Sequence, residues 1–255
     1  MSRTPGIVCF SAVVISALTL LGCGSDPNSQ MPGGSVVAAT ANPLVAQYTV
    51  NHSHPGLFAW IEFGTDTTYG RQTSISSNSI RASNGTSSLS ILVAGMKPET
   101  TYHMRAHAGW TGGTWIDEDH TFTTGSLPTS SPSALPVISV THSSKPGSGQ
   151  APGLELLSIA GPPLTLATDL DGNIVWYCAI PAVPIKQLPN GNFLVNIGTD
   201  LQEVDLTCKT VRDVSYTQVN QSLQANGFDF IIPPPLGLGG GNPFHHDVLA
   251  LPNGH

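Results

Sequence analysis

The stretch Gly95-Met96-Lys97-Pro98-Glu99-Thr100-Thr101-Tyr102-His103-Met104-Arg105 decides how the first half of the chain is read. Pro98 fixes φ near −65° just before a bend. A strand then begins at about Thr101 and runs to Ala108. Tyr102, at its start, can bury its ring while its hydroxyl ties the corner. Other short strand patterns lie to either side. Val45-Ala46-Gln47-Tyr48-Thr49-Val50 alternates, Phe58-Ala59-Trp60-Ile61-Glu62-Phe63 stops at Gly64, and Ser87–Ala94 and His120–Thr124 complete the set. Short strands separated by turn signals are the pattern of a β-sandwich.

The composition agrees. Of 255 residues, 27 are Gly and 21 are Pro, and only 10% are charged, against about 25% in an average soluble domain. Turns are therefore many and long helices few, which excludes a coiled coil or helical bundle. The formal net charge is −7 and there is no basic run. No nucleic-acid partner is expected, because phosphate neutralisation needs clustered Lys and Arg.

The corner, from Met96-Lys97-Pro98 through Thr100 to Tyr102, resembles the fibronectin type III pattern, as does the ending Phe122-Thr123-Thr124-Gly125. Residues 39–125 are accordingly expected to form a fibronectin type III-like sandwich. Such modules mostly serve as spacers or docking surfaces. His103 and His107 lie four apart on the predicted strand and share a face. They read as surface histidines rather than a metal pair.

The N-terminus reads as an address. Arg3 precedes a mostly apolar run from Ile7 to Leu21, too short for a comfortable membrane span and suited to a signal-peptide core. Leu20-Leu21-Gly22-Cys23 resembles the bacterial lipoprotein cleavage box, in which Cys23 is the acylated first residue. The expectations are a lipoprotein signal peptide over 1–22, a flexible tether over 23–38, and an exported protein held by its lipid to a membrane, with sorting to the outer membrane, facing the periplasm or the cell surface. An oxidising compartment permits a disulfide between Cys178 and Cys208, 30 residues apart; two buried thiols fit the spacing equally. Neither cysteine has metal-ligand spacing, and no metal or other cofactor is expected.

A second linker, 126–136, is rich in Ser and Pro and marks a domain boundary. Beyond it an internal repeat begins. Asp169-Leu170-Asp171-Gly172-Asn173-Ile174-Val175-Trp176 aligns with Asp205-Leu206-Thr207-Cys208-Lys209-Thr210-Val211-Arg212 at an offset of 36. Leu188-Pro189-Asn190-Gly191-Asn192 aligns with Leu251-Pro252-Asn253-Gly254-His255 at an offset of 63. The excess fits an insertion from about Tyr216 to Pro243, which reads as a long loop. Each aligned unit is strand, tight turn, strand. Asp169 to Asn173 reads as a turn rather than a calcium loop, since no Glu follows at the required distance. Hairpins of this size point to β-propeller blades over 137–255, so the whole chain is expected to be all-β.

Three stretches together resemble one family. They are Pro146–Leu157, the pair Asp169–Tyr177 and Leu188–Val195, and Phe244-His245-His246-Asp247-Val248-Leu249-Ala250-Leu251-Pro252-Asn253-Gly254-His255. The family is the bacterial arylsulfate sulfotransferases, exported enzymes with a small β domain and a six-bladed propeller. The resemblance implies transfer of a sulfuryl group from a phenolic sulfate donor to a phenol acceptor through a histidine intermediate, without a nucleotide donor. It implies that His245 or His246 contacts the sulfuryl group or phenol, and that Asp247 orients an imidazole. Adjacent residues on a strand point to opposite faces, so one of the two rings should line the channel.

The resemblance is incomplete. A blade takes about 40–45 residues, and Val137 to His255 is 119. The expectation is a truncated propeller with two to three blades and no turnover of its own, because the family's nucleophilic histidine and sulfate-binding arginine have no counterpart here. Two other readings stand beside it. One is a surface-anchored, non-enzymatic binding or adhesion lipoprotein. The other is a quinone-dependent propeller dehydrogenase, which would want tryptophan-rich blade repeats, whereas only Trp176 falls in a repeat.

Overall fold

The computed structural model describes residues 34–83, 85–129, 135–141, 153–159, 164–180, 185–229, 232, 243–244 and 248–249. Among the described residues the fold is all-β with one helix. Nine strands make the first unit: β1 (Ser35–Ala39), β2 (Ala46–His52), β3 (Phe58–Gly64), β4 (Arg71–Gln72), β5 (Ile80–Arg81), β6 (Ser87–Val93), β7 (Thr101–Trp110), β8 (Gly113–Ile116) and β9 (His120–Thr123). One sheet has the order β1-β2-β6-β5; the other has the order β4-β3-β7-β8, with β9 also on β7. The pairings are antiparallel.

Alternation explains the layering. Ala46, Tyr48, Val50 and His52 of β2 are buried, while the residues between them are not. Tyr48, Leu89 and Ile91 from one sheet meet Ile61, Tyr102 and Met104 from the other in a single core. The corner closes as its residues dictate: Tyr102 is buried, and its hydroxyl accepts the Lys97 N–H at 2.9 Å. Thr124 seals the same bend, donating to the Lys97 carbonyl at 2.6 Å and accepting from the Thr100 N–H at 3.0 Å.

Seven strands follow. β10 (Leu154–Ile159), β11 (Leu164–Asp169) and β12 (Ile174–Cys178) form one antiparallel sheet. β13 (Ile185–Gln187), β14 (Phe193–Asn196), β15 (Asp200–Val204) and β16 (Thr210–Ser215) form a four-stranded meander. Neither sheet closes on itself among the described residues, which is consistent with early propeller blades. Trp176 of the first sheet packs against Phe193 of the second, with ring centroids 4.7 Å apart. The Trp176 indole N–H donates to the Leu206 carbonyl at 2.7 Å.

The aligned repeats have the same turn. In the first, Asp169 Oδ1 accepts from the N–H groups of Asp171 (3.1 Å) and Asn173 (2.9 Å), and Gly172 N–H donates to Asp169 O (3.0 Å). In the second, Asp205 Oδ1 accepts from Thr207 (2.8 Å) and Lys209 (3.0 Å), and Cys208 N–H donates to Asp205 O (2.9 Å). Leu188–Asn192 closes with the same main-chain bonds, Gly191 N–H to Leu188 O and Leu188 N–H to Asn192 O.

The segment from Tyr216 to Pro243, read from sequence as a loop, instead begins with α1 (Tyr216–Ala225). The cause is local. Ser215 and Gln218 form a capping box, with Ser215 N–H donating to Gln218 Oε1 at 2.8 Å. At the far end Gly227 has φ 79°, Gly227 N–H reaches Gln224 O, and Phe228 N–H reaches Leu223 O, a Schellman closure.

The sandwich and the first blade share apolar cores. Leu44 is fully buried with Leu164, Leu166 and Ile174. Val45 is fully buried with Ala167, Val175 and Trp176, and Leu92 and Ala94 pack on the same cluster. Asn42 Nδ2 donates across this joint to Tyr177 O at 2.9 Å.

Candidate functional site

His245, His246 and Asp247 lie outside the described residues, as do Cys23 and residues 1–22, over which a signal peptide is expected. Phe244, which immediately precedes the doublet, is described. Its N–H donates to Gly198 O at 2.9 Å. Gly198 belongs to the short loop between β14 and β15, and buried Asn196 steadies that loop by accepting the Gly198 N–H at 2.8 Å. Tyr216 N–H bonds to Thr199 O at 3.2 Å, so α1 starts at the same end. The turns at 188–192 and 205–209 cap the opposite end of this meander. Phe244 is thus fixed at the end that carries the β14–β15 loop.

The disulfide expectation falls on described residues. Cys178 and Cys208 are joined as a disulfide, with Cα atoms 5.6 Å apart, within the range that a disulfide spans. It links β12 of the first blade to the β15–β16 turn of the second.

A second cluster lies on the outer face of the sandwich, where β3 and β7 pair. Register sets Trp60 opposite His107 and Glu62 opposite Arg105. His107 stacks on Trp60 at 5.0 Å, and its Nε2 lies 2.8 Å from Glu62 Oε2, off the axis of a directed hydrogen bond. Arg105 donates to the same Glu62 oxygen at 3.0 and 3.2 Å and lies over the Tyr69 ring, 4.6 Å from its centre. Asp119 accepts from Tyr69 at 3.1 Å and pairs with His103 Nδ1 at 2.6 Å. Burial pushes the Glu62 carboxyl up, but His107 and Arg105 outweigh it and hold the group below its usual value. Burial and the Asp119 carboxylate together raise the Tyr69 hydroxyl. His103 and His107 do share a face, as the two-residue period requires. Their carboxylate partners are non-local, so sequence reading missed Glu62, Arg105 and Asp119. Within this cluster Arg105 and Glu62 neutralise one another.

A third group has the residue types of a nucleophile relay without its wiring. His120 Nε2 lies 3.0 Å from Ser35 Oγ and 3.3 Å from Asp117 Oδ2. A relay needs the hydroxyl and the carboxylate on different ring nitrogens. Here both are on one. Asp117 Oδ2 also accepts from the buried Tyr48 hydroxyl at 2.5 Å. Burial, reinforced by Asp117, raises the Tyr48 pKa. This group ties β1 to β9 across the open edge of the sandwich.

Among the described residues, no group of three or more His, Cys, Asp and Glu side chains is placed to hold a metal ion. No described helix is long and apolar enough to cross a membrane. No known protein-family model matches the chain, and no curated protein matches it.

Proposed function

We propose that this chain is part of an exported, lipid-anchored arylsulfate sulfotransferase, acting between a phenolic sulfate donor and a phenol acceptor. The observation that carries the reading is the link between the Phe244-His245-His246-Asp247 motif and the blades: Phe244 is bonded to the β14–β15 loop of a four-stranded meander. Successive meanders with matching turns are the expected scaffold for a motif of this kind.

In the proposed chemistry an imidazole nitrogen attacks the sulfur of the donor. The sulfur–oxygen bond to the aryl group breaks, and the phenolate leaves and takes up a proton. The acceptor phenol gives up its proton and attacks the same sulfur, and the imidazole is released. A ring of the His245–His246 pair would bind the sulfuryl oxygens or take the phenol proton, and Asp247 would hold that ring in one orientation. The nucleophile itself is assigned to no residue of this chain. No cofactor is required.

The test is transfer from 4-nitrophenyl sulfate to phenol, using the protein expressed from its intact gene. Nitrophenol release with formation of phenyl sulfate is expected. Of His245→Ala and His246→Ala, one should lose most of the rate and the other little. Absence of nitrophenol release overturns the enzyme reading and leaves that of a surface-anchored binding lipoprotein.

A further inference from the structure

Three turns of the blades share one backbone form, and the residue at their fourth position has positive φ: Gly172 at 82°, Gly191 at 88° and Cys208 at 70°. Glycine suits that conformation because it has no Cβ. At the third turn a cysteine occupies it, and this cysteine reaches across the seam to Cys178 of the neighbouring blade. The two residues are unequally buried. Cys178 is 1% exposed, inside the cluster that includes Trp176 and Phe193. Cys208 is only partly buried, at the rim of the same cluster, on a turn at the end of the meander.

From this asymmetry we propose that the inter-blade disulfide forms in a fixed order, with Cys208 as the thiol that meets the oxidant and Cys178 as the resolving thiol. The oxidant is a disulfide-bearing protein or small molecule of the compartment to which the chain is exported. This assignment of compartment rests on the lipoprotein reading, but the order of attack does not. The Cys208 thiolate attacks one sulfur of the oxidant, whose disulfide breaks, and a mixed disulfide forms. The Cys178 thiolate then attacks Cys208 Sγ and displaces the oxidant's remaining sulfur. Two cysteine protons are lost, the two cysteines are oxidised, and the oxidant leaves as its dithiol. Closure locks the β15–β16 hairpin onto the first blade.

The test uses the full chain, reduced and then exposed to oxidised glutathione, with adducts located by peptide mass, since Cys9 and Cys23 also carry thiols. Cys178→Ala should accumulate glutathione on Cys208. Native Cys208→Ala should label at least tenfold more slowly at Cys178, and the difference should vanish in denaturant, where both thiols are open. Native circular dichroism of both variants secures the comparison. Each is checked also by hydrogen exchange, in which reduction of the parent protein should lower amide protection at Val204 and Thr210 at least tenfold and leave Leu89 and Ile91 unchanged. Equal labelling of the two native variants overturns the order of attack. Unchanged protection at Val204 and Thr210 on reduction overturns the lock. Neither result depends on sulfotransferase activity.

Discussion

Lys97 Nζ lies 3.2 Å from Asp169 Oδ2 and so joins the corner of the sandwich to the first blade turn. The same lysine offers its main-chain N–H to Tyr102. Asp169 in turn organises its own hairpin through the Asp171 and Asn173 N–H groups. One residue of the corner and one of the turn therefore couple the sandwich to the sheet that follows it in sequence.

The ion pair and the turn should separate on mutation. Lys97 is 39% exposed at its side chain, so solvent screens the pair, and Lys97→Met should cost less than about 1 kcal/mol. Asp169→Ala strips an acceptor from two main-chain donors and should cost about 1–3 kcal/mol. Burial pushes the Asp169 carboxyl up, but Asn173 and Lys97 outweigh it and hold the group below its usual value. Its contribution is therefore fully present above the ordinary carboxylate value of about 3.9 and is lost as pH falls through the lower folded value. Urea titrations of both variants at neutral pH, and a carboxyl NMR titration of Lys97→Met showing the Asp169 midpoint moving upward, check this.

The apolar joint should matter more than the charged one. Leu44 is completely buried against Leu164, Leu166 and Ile174. Leu44→Ala removes that contact and leaves a cavity, at an expected cost of about 2–5 kcal/mol. The loss should be read at the blade side of the joint. Amide protection at Leu166 and Ile174 should fall before that at Leu89 and Ile91, which belong to the separate core of the sandwich. Parallel loss in both places would mean that the two units unfold as one.

Tyr102→Phe keeps the buried ring and deletes the acceptor for the Lys97 N–H. The expected cost is about 1–3 kcal/mol, the range for leaving a part-buried donor unmet. Thr124→Val disturbs the same peptide from its carbonyl side, since Thr124 Oγ1 donates to Lys97 O. Because both side chains hold one peptide group, their effects should be non-additive by at least about 0.5 kcal/mol. A double-mutant cycle in urea measures the coupling.

What could be read in the sequence is what depends on local order. Alternation in β2 and β3, the Pro98–Tyr102 corner and the Asp169 and Asp205 turns are each written within a few neighbouring residues, and each is found in the fold. The capping signal of α1, Ser215 and Gln218, was equally local, but the surrounding Gly- and Pro-rich composition concealed it. The joint between the units was illegible for another reason. Leu44 and Val45 immediately precede β2, and the alternation that buries Ala46, Tyr48 and Val50 does not say which surface will cover them. Likewise the two-residue period puts His103 and His107 on one face, but only the β3–β7 register and the fold around Asp119 supply Glu62 and Asp119 as their partners.

His52 gives the sandwich a pH dependence of known sign. It is 1% exposed, with Nδ1 3.1 Å from His54 O and Nε2 2.9 Å from Ser79 Oγ. Both contacts are met by the neutral ring when Nδ1 carries the proton and Ser79 donates to Nε2. Burial pushes its pKa down; the His54 carbonyl opposes this and the His54 charge adds to it, and the net shift is downward. The unfolded chain therefore takes up a proton at this residue near pH 6.5 while the folded chain does not. The contribution to stability is full above that value and declines as pH falls through it toward the lower folded value, by at most about 1.4 kcal/mol per pH unit. The chain holds other histidines, so the quantity to measure is the difference between the parent protein and His52→Asn. Urea midpoints taken from pH 8 to pH 5 should fall more steeply for the parent, whatever constant penalty the substitution adds. Equal slopes would show that His52 protonates alike in the folded and unfolded chains; a shallower parent slope would show that folding favours the charged ring.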